Sequence, residues 1–166
     1  MKLLTRVQAK RLDTIALKKQ SATGQSLMKN AGLCISDFAV SILKKVQNPE
    51  IVVICGKGNN GGDGFAAASI LKDYNYNVSI HVLTPEEDIS GEGLKYFLEC
   101  KKKGVLIASL SEMQNKRSPD LFIDGLFGTG LSRPISTEIF KYILWVNQSN
   151  SKVLSIDIPS GLNADT

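Results

Sequence analysis

Three short stretches of this chain set glycines beside oxygen-bearing side chains: "GKGNNGGDG" (56–64), "DGLFGTGLSRP" (124–134) and "DIPSGLNADT" (157–166). In the first, Gly56, Gly58 and Gly61 fit the G-x-G-x-x-G spacing of a dinucleotide-binding turn, which follows a strand and opens a helix. Closely spaced glycines let the backbone aim its N–H groups at a phosphate, and the helix that follows adds its positive end. Two features do not suit a dehydrogenase. Asn59 and Asn60 sit inside the turn, and Asp63 puts an anion where a phosphate would approach. The acid expected at the tip of the second strand, to hold a ribose hydroxyl, is also displaced: that strand ends in "HVLTP", with acids following at Glu86 and Glu87.

Each residue also has a plainer reading. Asp63 in a helix's first turn would be favoured by the helix dipole alone. Asp124 and Ser160 lie in Asp-Gly and Pro-Ser-Gly, both common turn sequences. Lys57 either pairs with a phosphate or points outward, and Arg133 either neutralises a phosphate or is solvated. His81, the single histidine, falls inside a predicted interior strand, which suits packing rather than catalysis. Trp145 falls at core spacing on a helix. Cys34, Cys55 and Cys100 are widely spaced with no C-x-x-C pair, as expected of small buried or half-buried hydrophobes in a reducing cytosol.

The elements that must position these loops alternate along the chain. Residues 5–18 carry Val7, Leu12, Ile15 and Ala16 on one side of a helix, and a second helical pattern runs from about 24 to 46 behind the start signal "SATG". Its expected apolar stripe is Leu27, Met28, Ala31, Ile35, Phe38, Ala39 and Ile42. "IVVIC" from residue 51 is a continuously apolar, β-branched run, as in a strand buried on both faces. A helix at about 62–74, a strand at 77–83, a helix at 90–103, a strand at 105–108 and a strand at 120–124 follow. A helix at 135–148 and a strand at 152–158 close the pattern. "KKKG" (101–104) reads as a helix C-terminus ended by Gly104. This alternation predicts an α/β fold: a doubly wound, Rossmann-like three-layer sandwich with a mostly parallel central sheet and two N-terminal helices. Right-handed crossovers would bring the three loops to the carboxyl edge of that sheet, where ligands bind. The chain reads as one domain, a helical segment at about 1–48 followed by a Rossmann-like core at 49–166.

Composition narrows the field. The 166 residues are 43% hydrophobic and 22% charged, ordinary for a soluble globular protein. The net charge of +4 is concentrated in residues 1–50, where nine Lys/Arg face three Asp/Glu. The lysines are scattered and not interleaved with aromatics, so a solvated helix face is expected rather than a nucleic-acid site. No run approaches the roughly 20 apolar residues of a membrane span, and no signal peptide is evident.

Taken in order, "CGKGNNGGDG", "DGLFGTGL" and "SIDIPSGLNAD", preceded by "SLMKNAG" (26–32), resemble the YjeF N-terminal domain family, the NAD(P)HX epimerases. The resemblance runs from about residue 3 to 166. It implies an isomerase that interconverts the R and S hydrates of NADH and NADPH in nicotinamide nucleotide repair. Asn59, Asn60, Gly61, Gly62 and Asp63 would contact the hydrated nucleotide. So would Gly128, Thr129, Gly130, Leu131, Ser132, Arg133 and Pro134. Asp157 would bind substrate and act as the acid/base. A potassium ion would be held by Asn60, Asp124 and Ser160, all oxygen donors suited to a hard cation. The resemblance further implies a cytoplasmic protein, a homodimer, and a fused or separate ADP- or ATP-dependent dehydratase as partner. Family members continue with further strands, so the resemblance implies a domain truncated at its C-terminal end. The rival readings are a non-catalytic nucleotide-binding or scaffold domain of the same fold and a nicotinamide dehydrogenase.

Overall fold

The computed structural model describes residues 23–108, 118–131 and 134–163, with positions 5, 7, 8, 11, 12, 14 and 15 before them. The first expected helix (5–18) lies in large part outside these residues. The described elements are α1 (Gly24–Leu43), β1 (Glu50–Cys55), α2 (Asn59–Asp73) and β2 (Asn77–Val82). They continue with α3 (Gly91–Lys102), β3 (Leu106–Ala108), β4 (Leu121–Gly125), α4 (Thr137–Gln148) and β5 (Lys152–Ser155).

Five strands form one sheet in the order β3-β2-β1-β4-β5. Every pairing is parallel, with Ile54 of β1 lying between His81 of β2 and Asp124 of β4. The chain winds outward from β1 through β2 to β3, then returns to β4 on the other side of β1. The order therefore reverses between β1 and β4, and the carboxyl ends of these two strands are where open α/β sheets bind ligands.

Strand alternation divides the core into two layers. Ile51, Val53, Cys55, Leu121 and Ile123 face α1, α2 and α3, together with Phe65, Leu71, Phe97 and Leu43. Val52, Ile54 and Phe122 face α4, where they meet Tyr142 and Val146. His81 belongs to this second layer: it is buried, and its Nδ1 lies 2.9 Å from the Tyr142 hydroxyl. The packing role expected for it, and for Trp145 edge-on to Phe122, holds. Burial pushes the Cys100 thiol up to about 12, which keeps it a neutral core group.

α1 begins as its sequence suggests. Thr23 caps it by accepting from the Ser26 N–H at 3.1 Å, and the Ser26 hydroxyl oxygen accepts from the Thr23 N–H at 2.8 Å. Its buried face overlaps the expected stripe at Met28 and Ala39, with Ile35 and Ile42 partly buried against the core, but centres on Gly32, Ser36 and Leu43 and leaves Phe38 exposed. Small residues decide this. A Cβ on Gly32 would lie 2.8 Å from the Ala66 Cβ, and the Ser36 hydroxyl donates to the Ala67 carbonyl at 3.2 Å, so the two helices touch backbone to backbone. Cys34, expected at least half buried, is exposed on the opposite side. By length and composition α1 is also apolar enough to cross a bilayer, contrary to the reading of the bare sequence. In the fold it is a helix laid along α2.

At the far end of α3, Gly104 takes φ +67°, the left-handed conformation that ends a helix, as "KKKG" implies. β5 is shorter than expected and stops at Ser155, which leaves Asp157 in the bend beyond it.

Candidate functional site

The first glycine stretch is mostly helix. α2 starts at Asn59, three residues earlier than expected, with Gly58 as its cap and the Gly62 N–H donating to the Gly58 carbonyl at 3.0 Å. Asn59, Asn60, Gly61 and Gly62 therefore make the first turn, and Asp63 falls in the second, where the dipole argument for it weakens. The N–H groups of Asn59, Asn60 and Gly61 have no acceptor within the helix, as at any helix start. Gly61 and Gly62 are themselves buried. A Cβ on Gly61 would lie 1.9 Å from the Gly56 carbonyl oxygen, and one on Gly62 would lie 2.5 Å from Met28 Cε. Their lack of a side chain serves packing, and they can meet a ligand only through the backbone.

Side chains from the first and third stretches converge on the backbone of Phe127 in the second. Asn60 donates its amide N–H to the Phe127 carbonyl at 3.0 Å. The Ser160 hydroxyl accepts from the Phe127 N–H at 2.9 Å and donates to Asp124 Oδ1 at 2.6 Å. Asp124 Oδ2 accepts from the Ser160 N–H at 2.8 Å, and Oδ1 accepts from the Leu126 N–H at 3.2 Å. The last bond is a local turn, so the plainer reading of Asp124 is also true of it. The turn and the cluster are one structure.

Asp124 is only 8% exposed, and among the described residues no Lys or Arg pairs with it. A buried carboxylate answered only by neutral donors leaves an uncompensated negative charge. Its field reaches the neighbours. The Tyr142 hydroxyl is pushed up by burial and then by Asp124, and the Cys55 thiol by burial, Cys100 and Asp124.

Asp157 sits on the other side of the same loop. One carboxylate oxygen, Oδ2, accepts from the Thr129 N–H at 2.7 Å, while the residue as a whole is exposed. Gly128 lies between Asp157 and Asn60: its Cβ would lie 2.6 Å from Asp157 Oδ2 and 3.4 Å from Asn60 Cγ. Asn59, Gly130, Leu131 and Pro134 line the same edge of the sheet, exposed or half-exposed. Ser132 and Arg133 lie outside the described residues. Lys57 points sideways and pairs with Asp88 at 2.9 Å, so the turn after β2 does supply an acid near the glycine loop.

The structure thus joins Asn60, Asp124, Ser160 and Asp157, which lie up to 100 positions apart in the chain. The feature that sequence reasoning misses is the Phe127 backbone at the centre. Its contribution is backbone, and no side-chain type announces it.

Comparison with known proteins gives a consistent picture. A protein-family model described as YjeF-related protein N-terminus matches residues 24–166. The bifunctional NAD(P)H-hydrate repair enzyme Nnr of Thermofilum pendens is 33% identical over 172 residues, covering 100% of this chain and 32% of that protein. The NAD(P)H-hydrate epimerase of Oenococcus oeni is 31% identical, covering 95% of this chain and 74% of that protein. That of Lentilactobacillus buchneri is 32% identical, covering 98% and 74%. The crystal structure of yeast YNL200c superposes with a TM-score of 0.86 at 22% identity, covering 97% of this chain and 72% of that one. The chain spans about a third of the length of the bifunctional relatives. By its matched length, its identity to these relatives and its fold, it belongs to the YjeF-related protein N-terminus family.

Proposed function

We propose that this domain is an NAD(P)H-hydrate epimerase, interconverting the R and S hydrates of NADH and NADPH. The observation that carries the reading is the convergence of Asn60, Asp124, Ser160 and Asp157 around the Phe127–Thr129 backbone at the switch point of the sheet. The start of α2, the exposed Asp157 carboxylate and the oxygens of Asn60, Asp124 and Ser160 come together on the loops that follow β1, β4 and β5. Relatives that share the family carry the epimerase and repair-enzyme names.

Epimerisation at C6 of the hydrated ring requires the C–O bond to open, or the ring to open, and to close again on the other face. The proton given to the departing atom must be taken back on closure, so the group that moves it ends unchanged. Asp157 suits this task. Its Oδ2 is fixed by the Thr129 N–H, which leaves Oδ1 to exchange a proton with substrate. The N–H groups at the start of α2 would hold the phosphates, and the Gly128–Pro134 loop would lie along them.

Asn60, Asp124 and Ser160 fit a potassium ion. The oxygens are hard donors, and Asp124 is a buried carboxylate without a cationic partner among the described residues. When bound there, the ion would supply a fixed positive charge beside an anionic substrate. If it binds the folded state alone, stability rises with its concentration. The melting temperature should climb as potassium replaces choline at constant ionic strength, and Asp124→Asn should abolish the increment. Equal melting in both salts contradicts the ion site.

A bifunctional setting, with a dehydratase fused or separate, a homodimer and a cytoplasmic location complete the proposal. The activity is tested by following R-NADHX to its S epimer on a column that resolves the two. A folded protein that leaves the ratio at its uncatalysed drift would contradict the assignment.

A further inference from the structure

The glycine loop carries one cation, Lys57, placed just before the Gly58 cap of α2. Its ammonium is committed to Asp88 Oδ2 at 2.9 Å, in the turn after β2. Both side chains are about half exposed, at 52% and 43%. Exposed pairs of this kind are weak, because water already solvates each partner well. Glu86 in the same turn is paired separately, with Lys101 of α3, so Lys57 is not the sole cation that holds this turn.

The anion expected at this edge would meet stronger donors. The Asn59, Asn60 and Gly61 N–H groups lack helical acceptors, and Lys57 lies only two residues, about 7 Å of chain, before Asn59. A lysine's flexible four-carbon stem swings a compact charge across that span. A diphosphate at the helix start would be a doubly charged competitor for an ammonium held by a single exposed carboxylate.

We infer that Lys57 is a substrate-binding residue parked on Asp88 in the free protein, and that it exchanges Asp88 for the diphosphate of the bound nucleotide. Asp88 is then a brake on binding rather than a support for it. The inference rests on the nucleotide-hydrate reading above and adds to it a binding residue and a competing one.

The two partners should respond with opposite sign, which a merely structural ion pair would not do. Binding of ADP-ribose, which carries the diphosphate but no nicotinamide ring, is measured by calorimetry on the wild-type chain, Lys57→Gln and Asp88→Asn. Lys57→Gln should weaken binding about five-fold, as expected for one lost charge-assisted contact. Asp88→Asn should tighten it about two-fold, since the lysine no longer has to leave a partner. Both positions are exposed, so both variants should fold. Weaker or unchanged binding by Asp88→Asn overturns the exchange, as does unchanged binding by Lys57→Gln. Failure of the wild type to bind ADP-ribose would overturn the nucleotide reading together with this one, a result distinct from wild-type binding with unresponsive variants.

Discussion

The two glycine loops of this protein look alike in sequence and are built on different principles. The first, Gly56 to Gly64, is held from within. Gly61 meets the Gly56 carbonyl, Gly62 meets Met28, and Gly64 meets the Cys55 sulfur, so a side chain at any of the three has nowhere to go. The second, from Phe127 onward, is held from outside by Asn60, Asp157 and Ser160, side chains borrowed from other elements. One loop is glycine backbone packed closely against its own start, α1 and β1. The other is backbone suspended from polar groups. Damage to the first should therefore be read in the fold, and damage to the second in the chemistry.

The sharpest way to break this contrast is Gly61→Ala. With its Cβ 1.9 Å from a carbonyl oxygen, the start of α2 must move away from the β1 loop. We expect a loss of about 3 kcal/mol in urea unfolding. A loss under about 0.5 kcal/mol would show that the first loop is not rigidly packed. Ser160→Ala comes next. It strands the Phe127 N–H and removes a donor from Asp124, which should cost about 1–3 kcal/mol while the protein still folds.

Gly128→Ala should separate fold from site most clearly. Its Cβ would press on the exposed end of the Asp157 side chain, 2.6 Å away, which can swing aside at a cost of about 1 kcal/mol or less. Swinging aside removes Asp157 from the Thr129 N–H. Turnover should then fall by about ten-fold or more, well beyond the change in stability. Equal losses in both would erase the distinction between the loops.

Much of the fold is legible in the sequence, because apolar runs such as "IVVIC" and the Thr23 capping signal act locally. The parallel sheet follows from the alternation of strands and helices, whereas the place where its order reverses, between β1 and β4, is seen only in the fold. What the sequence hides are contacts made by small groups and by backbone. The buried face of α1 is offset from its apolar stripe because Gly32 and Ser36 allow close approach to α2. The start of α2 is hidden because Gly58 caps it without a side chain. The site residues are visible as oxygen-bearing side chains in odd loops, but the Phe127 backbone that Asn60 and Ser160 share is not. Lys57 is equally ambiguous until Asp88 is seen beside it.

The central claim is that an exposed carboxylate, fixed by the second loop, moves the proton in epimerisation. Asp157→Asn tests it most directly. The amide oxygen can still accept from the Thr129 N–H, and at an exposed position the stability should change by less than about 0.5 kcal/mol. R-NADHX is incubated with the wild type and with this variant, and the two epimers are resolved over time, with ADP-ribose binding measured on both. The account predicts conversion by the wild type, none above background by the variant, and binding by each. Conversion by Asp157→Asn at the wild-type rate would contradict it.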